Sequence, residues 1–235
     1  MKEDKEQKAF RDQIYVTLAQ HSLLNHPFYK LWSAGKLTKQ ALQGYAKEYY
    51  PLEANFPTFL LAAEKNTNDK RTKETIMENY AEETQPPSHK ELWLDFAEAL
   101  QMNRTAVKTA QPLSSTTKTL KTFSLLSEQS TNRALASLLA YEWNLQQTAA
   151  TKADGLKKFY NISSTKALSF FTVHSILDIK HSKAWETILI SDARTDHEQN
   201  TVIHALTTSM KALWLLLDGI LKKYQPMDAC ASQNQ

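Results

Sequence analysis

Two histidines and an aspartate share one short frame in this chain, His174-Ser-Ile-Leu-Asp178-Ile-Lys-His181, or H-x3-D-x2-H. On a helix turning about 100° per residue, positions i, i+4 and i+7 fall on one stripe. Two imidazoles and a carboxylate facing one way form the mixed N/O donor set that holds a catalytic iron or manganese. The alternative is a solvated helix face carrying an Asp–His ion pair. The neighbours Phe170, Phe171, Ile176, Leu177 and Ile179 predict a largely buried helix. Three ionisable groups on a buried stripe require partners, and a metal is one.

Two further frames could complete a two-metal site in a helix bundle. In Glu82-x6-His89, the Gln85-Pro-Pro-Ser88 turn prevents one continuous helix through both residues. A last-turn glutamate and a first-turn histidine can still face one point when the chain returns on itself. Read blandly, they are a helix end and a surface histidine. Glu142 stands between Tyr141 and Trp143, after the apolar run Leu138-Leu-Ala140. That setting favours an inward carboxylate, with pairing to Arg133 or a lysine as the alternative. His21, His26, His197 and His204 have no comparable frame and read as structural or surface residues. The aromatic cluster Phe28, Tyr29, Trp32, Tyr45, Tyr49 and Tyr50 reads first as core, and second as tyrosines lining an oxidising pocket.

These residues must be positioned by helices. The chain has 235 residues, four of them glycine, and is rich in Ala, Leu, Lys, Glu and Gln. Such a composition favours helix over strand. No GxGxxG or GxxxxGK is present, which excludes the common nucleotide-binding turns. The length suits one core, with no linker or repeat to divide it. The expected domain is residues 1–225, with 226–235 a polar, disordered tail. The net charge of +3 is too small, and its basic residues too scattered, for a nucleic-acid partner. The one cysteine, Cys230, permits no internal disulfide, which fits a reducing cytoplasm. The charged N-terminus lacks an apolar leader core, and the longest apolar run, residues 212–217, is too short to span a membrane.

Periodicity and capping signals predict an all-α bundle of seven or more helices. They run over residues 6–21, a short piece ending at Gly35, and a helix capped by Thr38 that Pro51 and Pro57 interrupt or kink before Lys65. Next come a helix from Asn68 or Asp69 to about Glu83, one from His89 to about Leu100, and one near 112–127. A long helix opens at Thr131 or Asn132 and ends near Lys152, where Asp154-Gly155 begins a loop. Ser163-Ser-Thr165 caps the helix bearing the H-x3-D-x2-H frame, and the last helix spans about 195–223.

Several of these segments carry a resemblance. Pro-Phe-Tyr29-x2-Trp32-x2-Gly35-x-Leu-Thr38, Leu42-x2-Tyr45-Ala-Lys-x-Tyr-Tyr50, Glu82-Glu-x5-His89-x2-Leu-Trp93, Tyr141-Glu142 and Phe-Phe-Thr172-x-His174-x3-Asp178-x2-His181 resemble the heme-oxygenase-like PqqC/TenA superfamily. Within it they are most similar to the CADD-like branch, named for a chlamydial protein associating with death domains. The likeness covers about residues 15–220. With no cysteine before position 230, the thiol mechanism of thiamin-salvage TenA is ruled out.

The resemblance implies a seven-helix, heme-oxygenase-like bundle with a dinuclear iron or iron–manganese centre held by Glu82, His89, Glu142, His174, Asp178 and His181. It also implies a non-heme dimetal oxygenase that uses O2 and an external reductant to make p-aminobenzoate for folate synthesis. In that branch the enzyme consumes one of its own tyrosines and a lysine supplies the nitrogen. The matching positions are Tyr29 as the consumed residue, Tyr45 as a nearby redox tyrosine and Lys152 as amino donor. Residues 175–177, Ser-Ile-Leu, depart from the more acidic pattern expected there, which bears on metal preference. Two alternatives stand beside this reading. One is a dimetal oxidase acting on an external amino acid or fatty acid. The other is a non-enzymatic host-interaction protein binding death domains, secreted into a host cell, for which no residue here speaks. A homodimer is an open expectation, and neither nucleic acid nor membrane is an expected partner.

Overall fold

A computed structural model describes residues 5–225, so the tail from 226 onward, with Cys230, lies outside the described residues. Helices account for almost all of it: α1 (Lys5–Gln20), α2 (Pro27–Ser33), α3 (Lys39–Asn66), α4 (Lys70–Thr84), α5 (His89–Ala99), α6 (Arg104–Lys108), α7 (Ser114–Gln129), α8 (Thr131–Tyr160), α9 (Thr165–Asp192) and α10 (Asp196–Tyr224). A single 3-10 turn, Leu23–Asn25, precedes α2. Nine of these helices have seven residues or more, against the seven expected, and no strand occurs among the described residues.

Local chemistry sets most boundaries. Thr38, Asp69, Ser130, Ser164 and Thr195 each accept a bond from a first-turn amide, the N-cap arrangement that satisfies an otherwise orphaned donor. Thr195 and Glu198 complete a reciprocal capping box. The cis Pro86-Pro87 turn separates α4 from α5. The short α6, capped by Asn103, was not evident in the sequence pattern.

Two expected helix breaks do not occur. α3 runs for 28 residues through Pro51 and Pro57. α8 passes through Gly155 and ends six residues later at Asn161, whose φ of 55° is the left-handed cap. Gly155 is a contact residue instead of a breaker: a Cβ there would lie 2.6 Å from Trp32 Cδ1. The Trp32 indole takes that space and donates to the Lys152 carbonyl at 3.2 Å. This locks α2 onto the stretch of α8 that carries Lys152.

α8 and α9 pack along each other at the centre, with α3, α5 and α10 against them. Trp32, Trp93, Trp185, Tyr29, Tyr45 and Tyr141 are all fully buried. The bundle interior therefore presents aromatic faces to the polar groups below.

Candidate metal centre

Buried polar residues form two adjoining groups, each from at least two helices. Glu83, His89 and His174 bring three ligand atoms within 4.8 Å of one another, and so do Glu142, Asp178 and His181. All six residues are buried.

α9 contributes three of them, as its i, i+4, i+7 spacing requires. Its orientation inverts the usual pattern: His174, Asp178 and His181 point inward, while Ile176 and Ile179 are more than half exposed. The expectation that these isoleucines mark a buried face is thus corrected.

α4 supplies Glu83, where the sequence pointed to Glu82. Thr72, Ile76, Asn79 and Glu83 form the buried stripe of α4, and Glu82 lies about 100° away from it. The Glu82 carboxylate instead accepts from Lys180 at 2.9 Å and meets His181 Nε2 at 2.7 Å. Glu83 Oε2 lies 2.8 Å from His89 Nδ1.

The hydrogen bonds around the groups orient the ligands. His174 Nδ1 donates to the Phe170 carbonyl at 2.7 Å, which leaves its Nε2 lone pair free. His181 donates through Nε2 to Glu82, so Nδ1 faces Glu142 at 3.3 Å and Asp178 at 3.8 Å. A ring nitrogen fixed by a carboxylate or carbonyl, with the other left as acceptor, is the usual support of a metal-bound imidazole. Glu142 is fixed by Asn79 Nδ2 at 2.6 Å on one oxygen and by the Trp185 indole on the other.

The donor set also fits a cation by what it lacks. Both Asp178 oxygens are buried without a hydrogen-bond partner, a costly state for polar atoms. Burial, then the charges of Glu142, Glu83 and Glu53, push Asp178 well above the ordinary aspartate range. Burial and the neighbouring His89 hold His174 well below the ordinary histidine range. Divalent cations bound between the groups would hold Asp178 as the carboxylate and keep His174 neutral, the two forms that ligate.

Beside the clusters lies a buried aromatic group. The Tyr29 and Tyr45 hydroxyls share a hydrogen bond of 3.1 Å. Lys152, fully buried, places Nζ 5.4, 5.6 and 5.5 Å from the ring centres of Tyr29, Tyr45 and Tyr49. That nitrogen has no hydrogen-bond partner. Burial brings its pKa down from 10.5 to about 7, against the opposing charges of Glu53 and Asp178. The structure thus brings together Tyr29, Tyr45 and Lys152.

Three residues at the site, Asn79, Trp185 and Glu53, went unnoticed in the sequence, while Tyr49 belongs to the aromatic cluster already singled out. Asn79 continues the α4 stripe, and Trp185 follows His181 by one helical turn. Tyr49 and Glu53 continue the four-residue spacing from Tyr45. Glu53 is buried and accepts from the Tyr141 hydroxyl. Burial and the nearby Glu83 raise its carboxyl to about 8.

Comparison with known proteins gives this geometry a context. A family model described as "iron-containing redox enzyme" matches residues 43–214. A 4-aminobenzoate synthase of Nitrosomonas europaea is 33% identical over 226 residues, covering 92% of each chain. A CADD-like protein of Nostoc punctiforme superposes with a TM-score of 0.78 at 17% identity, over 95% of this chain and 100% of the other. A heme-oxygenase-like domain from Shewanella denitrificans gives 0.79 at 19% identity, over 96% of both. Fold, buried donor set and the match over most of the chain agree: this protein belongs to the iron-containing redox enzyme family, on the heme-oxygenase-like fold shared with PqqC/TenA and CADD-like proteins.

Proposed function

We propose that this protein is a p-aminobenzoate synthase that uses Tyr29 as the source of the aromatic ring and Lys152 as the source of the nitrogen. The observation that carries the reading is the trio Tyr29, Tyr45 and Lys152, enclosed beside two three-ligand clusters. It is supported by a relative named 4-aminobenzoate synthase, similar over nearly the whole chain.

In this reading Glu83, His89 and His174 hold one metal ion, and Glu142, Asp178 and His181 hold the other. Two iron ions, or iron with manganese, would supply the capacity to reduce O2, with an external reductant providing the remaining electrons. The residues of the chain do the rest. Glu82 and the Phe170 carbonyl fix the tautomers of His181 and His174. Asn79 and Trp185 hold Glu142 in one orientation. Tyr45 accepts or donates at the Tyr29 hydroxyl, holding that phenol in place and giving its proton somewhere to go. Lys152 is drawn toward its neutral form by burial, which provides an amine lone pair at neutral pH. The aromatic walls exclude water, which would otherwise compete with the amine.

An external amino acid or fatty acid as substrate is the alternative, and isotope labelling separates the two. Protein made with ring-labelled tyrosine, loaded with Fe(II) and Mn(II) without oxygen and then exposed to O2, should release ring-labelled p-aminobenzoate. The yield should not exceed one per chain, and intact-protein mass should change in step. Unlabelled product formed over many turnovers from an added compound would exclude self-consumption.

A further inference from the structure

A small cleft opens from the surface onto Glu83. It is lined by Glu53, Pro57, Glu83, Thr84, Ser88 and Lys90, with a volume of about 80 Å³. One water needs roughly 10–15 Å³ on this measure, so a cation that keeps part of its hydration shell can occupy it. Thr84 and Lys90 are exposed and form the outer rim, whereas Glu53 and Glu83 are buried at the inner end.

We propose that this cleft is the loading route for divalent cations to the Glu83, His89 and His174 cluster, with Glu53 as the carboxylate that receives the ion first. The proposal rests on the reading of that cluster as a metal site. Glu53 belongs to neither three-ligand cluster. One of its oxygens is held by the Tyr141 hydroxyl, and the other is buried with no partner. A carboxylate oxygen left unpartnered in a buried position is costly. Its position on the cleft wall beside Glu83 supplies a purpose. Glu83 and the Glu53 carboxyl line the closed end of this low-dielectric cleft, where an arriving divalent cation displaces the Glu53 proton and gains an oxygen ligand. Glu83 then carries the ion inward, because its Oε2 is already 2.8 Å from His89 Nδ1. Lys90 on the rim opposes the cation's approach, so its charge sets the sign of a second test.

The experiment follows Co(II) uptake by the metal-free full-length protein in an anaerobic stopped-flow instrument, with final stoichiometry measured by elemental analysis. Glu53→Gln removes the receiving carboxyl and should slow uptake at one of two sites about tenfold, leaving final stoichiometry unchanged. Thr84→Trp, on the exposed rim, should slow the same phase by obstruction. Lys90→Glu should accelerate it, and added salt should shrink that gain. The two rim variants leave the interior intact and keep the test decisive if Glu53→Gln fails to fold. Unchanged uptake in Thr84→Trp and Lys90→Glu overturns the route. A lower final stoichiometry in folded Glu53→Gln makes Glu53 a resident ligand and also overturns it. Wild-type protein that binds no Co(II) would refute the metal site itself, a distinct result.

Discussion

Lys152 Nζ lies 5.4 Å from the centre of the Tyr29 ring, although the two residues come from helices far apart in sequence. The contact depends on a third residue. Trp32, one turn beyond Tyr29 on α2, fills the space over Gly155 and bonds the Lys152 carbonyl. α2 and α8 are thereby registered so that amine and phenol lie buried side by side. Burial opposes the ammonium, and the three tyrosine faces favour it modestly. The balance leaves the lysine near the point where half its population is neutral at physiological pH.

That balance has a consequence for stability. The folded-state pKa of Lys152 is about 7, against 10.5 for an ordinary lysine. Between these values the unfolded chain binds more protons than the folded one, so this group makes stability rise with pH across the window. Its penalty is complete below about 7 and is relieved as pH climbs toward the ordinary lysine range. At about 1.4 kcal/mol per pH unit, the full effect is on the order of 3–5 kcal/mol. Glu53 acts in the opposite direction: its raised pKa makes stability fall as pH rises from the ordinary carboxylate range to about 8. The difference between wild type and Lys152→Met isolates the lysine. Urea unfolding of chelator-treated protein should show Lys152→Met more stable at pH 6.5, with the gap closing by pH 9.5. A constant gap would mean that Lys152 is not desolvated.

Adjacent glutamates on α4 should behave differently. Glu83→Gln removes a carboxylate from the His89 and His174 cluster and should lower metal content from two ions per chain to one. Glu82→Gln keeps both clusters and removes only the acceptor of His181 Nε2. Loss of such a supporting partner lowers affinity by about 10–100-fold, so two ions should still bind at high metal concentration. Titration with Fe(II) or Co(II) reads both outcomes. The reverse ranking would place Glu82 in the cluster in the loaded protein.

Gly155→Ala tests the registration of α2 on α8. By helix propensity alone, alanine should stabilise an interior helical glycine by about 1 kcal/mol. Here the new Cβ would sit 2.6 Å from Trp32 Cδ1, and the indole must move. Overpacking of this kind costs roughly 1–3 kcal/mol, so net destabilisation is expected. Trp32 fluorescence should shift, and thermal denaturation should show a lower Tm. A stabilised variant would show that the Trp32 contact is slack.

The outcome at Gly155 also shows why some features escaped the sequence. A glycine after Asp154 reads as a helix end when its partner is unknown, and Trp32 lies more than 120 residues away. Proline in α3 reads as a break, yet the surrounding packing keeps the helix continuous. The α9 frame was legible because its three groups share one helix, so spacing alone places them together. The inward α4 carboxylate was not, because Glu82 and Glu83 are chemically identical and differ only in helical phase. The stripe Thr72, Ile76, Asn79 and Glu83 would have resolved it. The apolar face of α9 misled for a related reason: Ile176 and Ile179 are exposed, and hydrophobicity is a guide to burial only where no buried polar group competes for the interior.

The proposed role of Lys152 as amino donor provides the last test. Lys152 is held close to the Tyr29 ring, and its amine is the buried nitrogen nearest that ring that can be deprotonated near neutral pH. Protein grown with side-chain 15N-lysine should therefore yield p-aminobenzoate carrying one 15N. Lys152→Arg keeps a cation of similar reach but cannot supply a neutral amine, because a guanidinium stays protonated. That variant should bind both metals and give no product. Lys152→Met should do the same while removing the buried charge, so loss in both variants points to nitrogen supply and not to charge. Ammonium salts added to Lys152→Met would restore activity if the site merely binds an amine from solution, and they should fail if the nitrogen comes from the side chain. Unlabelled product from 15N-lysine protein, or activity in Lys152→Arg, would remove Lys152 from the reaction and leave it as a buried charge facing Glu53 and Asp178.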